Sequence, residues 1–222
     1  LVLLCSAEFL ILSKTAILDI LLGAMVTISV LCGFMTFSAE EKQKKFYWWG
    51  FYLFSALGVL GKGIPAIAVP FGIMFVAGLY TKKLKEYFKP QYFLVGLLMF
   101  FAVVIPRHKL MLSMYDPLFF DEYIIKHHIA RFLGSDVIHR ERPLLYFIPV
   151  ILWGTLPFAH SFIALIVEKL SKLKNFKGFK NISIPKFEEM NEESKFLSLC
   201  LIGAIVTLLF FSSSGTKLIT YI

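Results

Sequence analysis

Cysteine is scarce in this sequence, and the few cysteines form no pattern. Cys5, Cys32 and Cys200 all sit in apolar stretches. Neither a disulfide framework nor a CxxC metal pair is therefore available. Charge is scarce too: 17% of residues are charged against 58% hydrophobic, and mean hydropathy is +0.74. An ordinary soluble domain carries about 25% charged residues, so that class is excluded. Acidic residues are the scarcer sign, 15 Asp and Glu against 23 Lys and Arg. The resulting net charge of +8 does not point to nucleic acid, because the lysines fall mostly in short loops between apolar segments. Basic residues in such loops set membrane orientation. There is no initiator Met, and both ends lie inside apolar runs. The chain therefore reads as an internal fragment of a longer membrane protein, and the lack of a signal peptide carries no meaning.

What is present is a succession of apolar segments. Residues 1–12 read as the end of a span, and Ser13, Lys14 and Thr15 as a tight turn. Residues 16–37 are long enough for a full crossing. A charged loop, 39–45, precedes a short segment, 46–60, opened by the aromatic belt Tyr47, Trp48 and Trp49. Gly61, Lys62 and Gly63 interrupt it, and 64–80 continues, which suits two tilted helices joined by a tight turn. A basic loop at 81–90 leads to a span at 91–106. A long polar interval, 107–143, follows, then a span at 144–167 that Pro149 and Pro157 should kink. A lysine-rich loop at 168–195, a span at 196–213, a turn at 214–217 and the start of another span close the chain. These make six complete crossings and two partial ones. The predicted fold is all-α, a polytopic transmembrane helical bundle forming a single domain over residues 1–222.

Charge orients this bundle. Loops on one side hold 14 of the 23 basic residues; the other side holds nine, six of them in the interval 107–143. The first side, with 168–195, is predicted to be cytoplasmic, and the long interval to lie outside. All five histidines, His108, His127, His128, His139 and His160, then fall near the outer face.

The interval itself carries helix signals. Asp116 suits an N-cap, Pro117 the first helical position and Gly134 the end. At about 100° per residue, Asp121, His127, His128 and Arg131 share an arc of roughly 120°, together with Phe120 and Ile124. His139, Arg140 and Arg142 follow. A phosphate or metal seat is one reading; an interfacial helix whose basic side chains meet lipid headgroups is the other. Two further groups stand out. Asp19, near the start of its span, is either a carboxylate facing the site or a charge favoured by the helix dipole. Lys62 is either an anion ligand or a lysine snorkelling to the surface.

Four stretches, in order, resemble a known family. They are Ser13–Asp19 (SKTAILD), Leu57–Gly63 (LGVLGKG), Phe119–Phe132 followed by the run His139–Pro157, and Phe210–Tyr221 (FFSSSGTKLITY). The pattern is similar to that of the polyprenyl-phosphate-sugar-dependent glycosyltransferases of the GT-C membrane fold. These include ArnT-like aminoarabinose transferases and bacterial relatives of protein O-mannosyltransferases. Lys14 stands where the family often has Arg, and Ile219 where it usually has Pro.

The resemblance implies an enzyme of a bacterial inner membrane, active on its periplasmic face. It would take a sugar from an undecaprenyl-phosphate carrier and pass it to a lipid, such as lipid A, or to a protein. It assigns the carrier phosphate to Arg131, Tyr221, Lys217 and Lys62. It gives Asp19 a catalytic role, aided by Asp116 or Glu122, with the main acidic residues expected upstream of the fragment. The fragment alone is then expected to be inactive. A divalent metal is the only implied cofactor, with His128 as its ligand and His127 as runner-up. Membrane lipids are expected partners and nucleic acid is not. Two other functions compete: a transporter or flippase of lipid-linked intermediates, and a membrane scaffold without chemistry. The first would want interrupted helices in matching repeats, and Gly61-Lys62-Gly63 has no convincing repeat. The second leaves the intramembrane Asp19 and the His/Arg face as unexplained cost.

Overall fold

The structure is a computed structural model that describes residues 5–14, 18–115, 143, 146–161, 163, 164, 167 and 187–214. The described elements are α1 (Ala7–Ser13), α2 (Leu18–Met35), α3 (Glu41–Lys62), α4 (Pro65–Tyr80), α5 (Pro90–Tyr115), α6 (Phe147–Gly154) and α7 (Glu192–Ser213). Short 3-10 turns occupy Leu84–Phe88 and Phe187–Glu189. Among the described residues there is no strand, as an all-α bundle requires.

Helix α3 is the centre of the array, packed against α2, α4 and α5, while α7 leans on α4. Its partner α2 runs antiparallel to it. Met25 lies beside Gly58, Ser29 beside Ser55, and Cys32 beside Gly50. Small residues set these distances. A methyl group on Gly58 would come within 2.8 Å of the Ala66 Cβ, and one on Gly50 within 3.0 Å of the Cys32 sulfur. Halfway along, Ser29 donates to the Phe51 carbonyl at 2.8 Å, and its oxygen lies 2.9 Å from the Ser55 hydroxyl. In hydrocarbon such bonds are the means of joining helices that lipid would wet equally well.

The outward faces are apolar. Leu98 is 71% exposed, Leu209 61% and Phe75 54%. Helices α2, α5 and α7 are each long and apolar enough to cross a bilayer, and α4 is a shorter apolar helix. A surface of that kind is stable against lipid tails or further protein, not water. At about 1.5 Å per residue, α3 is about 33 Å long, with its charged residues at the two ends and its apolar residues between them.

Several boundaries differ from expectation. The charged segment 39–45 is not a loop throughout, because α3 begins at Glu41. Extended Glu40 starts it, and the first turn is tied by a 2.6 Å ion pair between Glu41 and Lys44. Helix α5 does not stop at Pro106 but continues to Tyr115, so Arg107, His108 and Lys109 belong to it rather than to the polar interval 107–143. A proline costs a membrane helix one backbone bond without ending it. The loop predicted to run to Lys195 ends earlier, since Asn191 caps α7 by accepting from the Ser194 N–H at 2.8 Å. The segment 144–167 is not one kinked helix among its described residues: α6 ends at Gly154, and a turn at 155–158 contains Pro157. Pro149 does no harm, because it is the third residue of α6, where no intrahelical N–H bond is made.

The array has two ends. At one, Lys44 bridges Glu41 and Glu86 at 2.6 and 3.6 Å, the Ser38 hydroxyl donates to Glu192 at 2.7 Å, and Phe37 packs on Phe187. Segments near residues 40, 86 and 190 therefore meet at a single end, as the charge pattern predicts. The opposite end carries the turn at Gly63.

Candidate functional site

The candidate site is at the Gly63 end, and its geometry follows from local sequence. Lys62 is the last residue of α3, and Gly63 turns the chain with φ of 80°, a region an L side chain rarely adopts. Pro65 then starts α4 at the position where its missing N–H is harmless. The turn is tight enough that a methyl group on Gly58 would collide with Ala66 across it. Helix α2 ends its antiparallel run here, so its first-turn Asp19 arrives beside the last turn of α3.

Asp19 and Lys62 form an ion pair. The Asp19 side chain is 10% exposed and that of Lys62 24%, so both charges are largely withdrawn from water. Neither of the two sequence readings of each residue foresees this: Asp19 and Lys62 answer one another. The pairing places a carboxylate and an ammonium where the helix ends favour them, the acid at the start of α2 and the base at the end of α3.

A second cation reaches the same end of α3. The Arg107 guanidinium on α5 donates to the Leu60 carbonyl, one of the last carbonyls of α3. Arg107 itself stays exposed. Sequence reasoning counted it only as a loop charge. Its signal was the arginine directly after Pro106, inside a segment that is too apolar to end there. One turn apart, His108 Nδ1 lies 2.9 Å from the Val104 carbonyl. His160 Nδ1 lies 2.7 Å from the Pro157 carbonyl, with Ser161 Oγ 3.3 Å from its other nitrogen.

The structure brings together Asp19 and Lys62 among the residues singled out above. Asp116, Glu122, His127, His128, Arg131, Lys217 and Tyr221 lie outside the described residues. Among the described residues no three His, Cys, Asp or Glu side chains converge to hold a metal. Helix α7 ends at Ser213, and Lys217 and Tyr221 follow it in sequence.

The far end differs in character. An open groove of about 370 Å³ is lined by Glu41, Lys42, Lys45, Trp49, Gln91, Tyr92 and Val95. Its one acid is already satisfied: Glu41 takes Lys44, and Tyr92 donates to it at 3.1 Å. Those hydrogen bonds, that of Lys44 first, hold the Glu41 carboxyl below its ordinary range.

Antiparallel apolar helices of crossing length, joined by small-residue contacts, define the class: a polytopic α-helical membrane protein. No protein-family model matches the chain. Its fold is similar to that of ArnT from Cupriavidus metallidurans bound to undecaprenyl phosphate, with a TM-score of 0.77 over 99% of this chain and 36% of that one, at 21% identity. The apo form of that protein matches with a TM-score of 0.67 over 92% of this chain and 33% of that one, at 20% identity. In sequence the chain is 26% identical over 208 residues to the undecaprenyl phosphate-alpha-4-amino-4-deoxy-L-arabinose arabinosyl transferase of Shewanella sediminis. It is 28% identical over 215 residues to the enzyme of the same name from Yersinia enterocolitica. Both alignments cover 93% of this chain but 34% of the relative, so the chain spans about a third of the proteins it matches. The fold expected from the four sequence stretches is borne out, and the similar sequences carry the name of the transferases that those stretches resemble.

Proposed function

We propose that this chain forms part of a membrane glycosyltransferase that takes a sugar from an undecaprenyl-phosphate carrier. The sugar passes to a lipid, such as lipid A, or to a protein acceptor. Transfer takes place on the periplasmic face of a bacterial inner membrane. The observation that carries this reading is the Asp19–Lys62 pair, with Arg107 on the same end of α3, in a fold similar to an ArnT that binds undecaprenyl phosphate.

The chemistry fits those residues. In transfer the bond between the sugar's anomeric carbon and the phosphate oxygen breaks, and a bond to the acceptor oxygen forms. The carrier phosphate starts as a diester with one negative charge and leaves as a monoester with a second. Cations fixed beside that oxygen lower the barrier, since they bind the developing charge more strongly than the starting diester. Lys62 is such a cation, carried on the last residue of α3. Arg131, which offers a two-pronged grip on phosphate, Lys217 and Tyr221 complete the proposed set. Asp19, the carboxylate paired with Lys62, is assigned the auxiliary acid–base role, the principal acids belonging to the rest of the protein. His128, then His127, are the proposed metal ligands.

Binding of undecaprenyl phosphate to the full-length protein in nanodiscs, read by native mass spectrometry, tests this. Wild type should bind the carrier in preference to bulk anionic phospholipid, and Arg131→Ala should bind about tenfold more weakly, the loss of roughly 1.4 kcal/mol from a charged contact. No preference for the carrier would overturn the assignment.

A further inference from the structure

We propose that the Asp19–Lys62 pair is a counter-ion latch, in which the carrier phosphate takes Lys62 from Asp19 on binding and leaves the Asp19 carboxylate released. The inference rests on the carrier-binding function proposed above and names how the site is controlled.

Three observations carry it. First, the two charges form an ion pair, and both side chains are mostly buried. A cation so placed favours an anion beside it, and breaking a largely buried ion pair by removing one member is costly. Lys62 is thus held ready for an anion, with Asp19 occupying the position. Second, the two groups come from different elements, α2 and α3, and Lys62 is the terminal residue of its helix. A four-carbon stem at a helix end can re-aim its ammonium without moving the backbone. Third, the backbone beneath it is fixed. Gly63 donates its N–H to the Val59 carbonyl at 3.0 Å, and Arg107 holds the Leu60 carbonyl. What can change at this corner is the pairing, not the turn.

The exchange has a direction. Asp19 offers one negative charge, as does the phosphodiester donor; the departing phosphomonoester offers up to two. Lys62 therefore shifts furthest toward phosphate as the leaving charge grows. By reciprocity, whatever phosphate takes from the Asp19–Lys62 contact, Asp19 takes from phosphate affinity. Removing the Asp19 charge should therefore tighten carrier binding, whereas an acid acting only in proton transfer would leave it unchanged.

The test is a double-mutant cycle on the full-length protein in nanodiscs, with undecaprenyl phosphate as the probe. Asp19→Asn should bind about fivefold or more tightly than wild type, Lys62→Gln about fivefold more weakly, and the double variant like Lys62→Gln alone. Equal or weaker binding by Asp19→Asn overturns the latch. So does equal tightening in the Lys62→Gln background, which would mean a general field effect. If Asp19→Asn folds poorly, the carrier-induced rise in Tm replaces the isotherm: it should be larger for the variant than for wild type, and an equal or smaller rise overturns the proposal. Wild type failing to bind carrier overturns the function itself; wild type binding with Asp19→Asn unaltered overturns the latch alone.

Discussion

The Arg107 guanidinium donates to the Leu60 carbonyl, so α5 holds the last turn of α3 two residues before Lys62. Replacing Arg107 by Gln shortens the side chain and removes its charge, leaving that carbonyl to water. The expected cost is about 1 kcal/mol of stability. The larger effect should be on carrier binding, a few-fold weaker, because the turn that presents Lys62 loses its brace. Arg107→Lys should recover part of that binding. Thermal unfolding and carrier titration of the two variants, side by side, check this; equal binding by Arg107→Gln and wild type would show that the contact does not position Lys62.

Gly63 sits at φ 80° between α3 and α4. Gly63→Ala forces a side chain into that region, at a cost of about 1–2 kcal/mol. Relief by rotating the turn would also re-aim Lys62. The variant should therefore be both less stable and a weaker carrier binder. Wild-type values on both counts would contradict the tight-turn geometry.

Ser29 makes two of the bonds joining α2 to α3, and Ser55 makes one of them. Ser29→Ala should therefore cost more than Ser55→Ala, which leaves the Ser29–Phe51 bond in place. Bonds of this kind between membrane helices average about 0.6 kcal/mol, so a difference of that order is expected. Unfolding in mixed micelles measures it, and the reverse ranking would refute the extra contribution of the Ser29–Phe51 bond.

Gly96 faces the ring of Tyr52, and a methyl group there would lie 2.1 Å from Cδ2. Tyr52 is buried at 3% exposure and cannot swing aside cheaply. Gly96→Ala should destabilise the α3–α5 contact by roughly 1–3 kcal/mol, the usual cost of overpacking. A stability assay would reveal a mistaken register if the variant matched wild type.

Glu41, at the charged start of α3, has its carboxyl held below the ordinary value of 4.5, chiefly by the Lys44 hydrogen bond and then by Tyr92. A depressed folded pKa means stability that is present above the unfolded value and lost as pH falls through the folded one. Tm should therefore be flat near neutrality and decline below about pH 4.5, with a shallower decline in Glu41→Gln. Identical profiles for the two proteins would remove Glu41 from the account.

Helix identity was legible in the residues because long apolar runs in a membrane have few alternatives: every backbone group must be bonded within its own segment. Helix limits were less legible. Glu41, Lys44, Arg107 and Glu192 read as loop by charge, yet all four are good helix formers and lie inside helices. Hydropathy marks where lipid ends, and a helix is free to continue past that point. Asp19 and Lys62 were visible separately as charges out of place, and Arg107 was not visible as part of the site at all.

The sequence by itself determined the class, an α-helical membrane protein, through apolar segments of crossing length and basic residues gathered in particular loops; its motifs resemble, in order, those of GT-C transferases. These are local or compositional properties, readable without knowing what touches what. The tertiary structure alone decided that Asp19 meets Lys62 and that Arg107 braces the turn beside them. Those contacts depend on the antiparallel register of α2 against α3 and the crossing of α5. That register is set by close fits at Gly50, Gly58 and Gly96 and by the Ser29–Ser55 bond, relationships between distant residues that no single segment encodes.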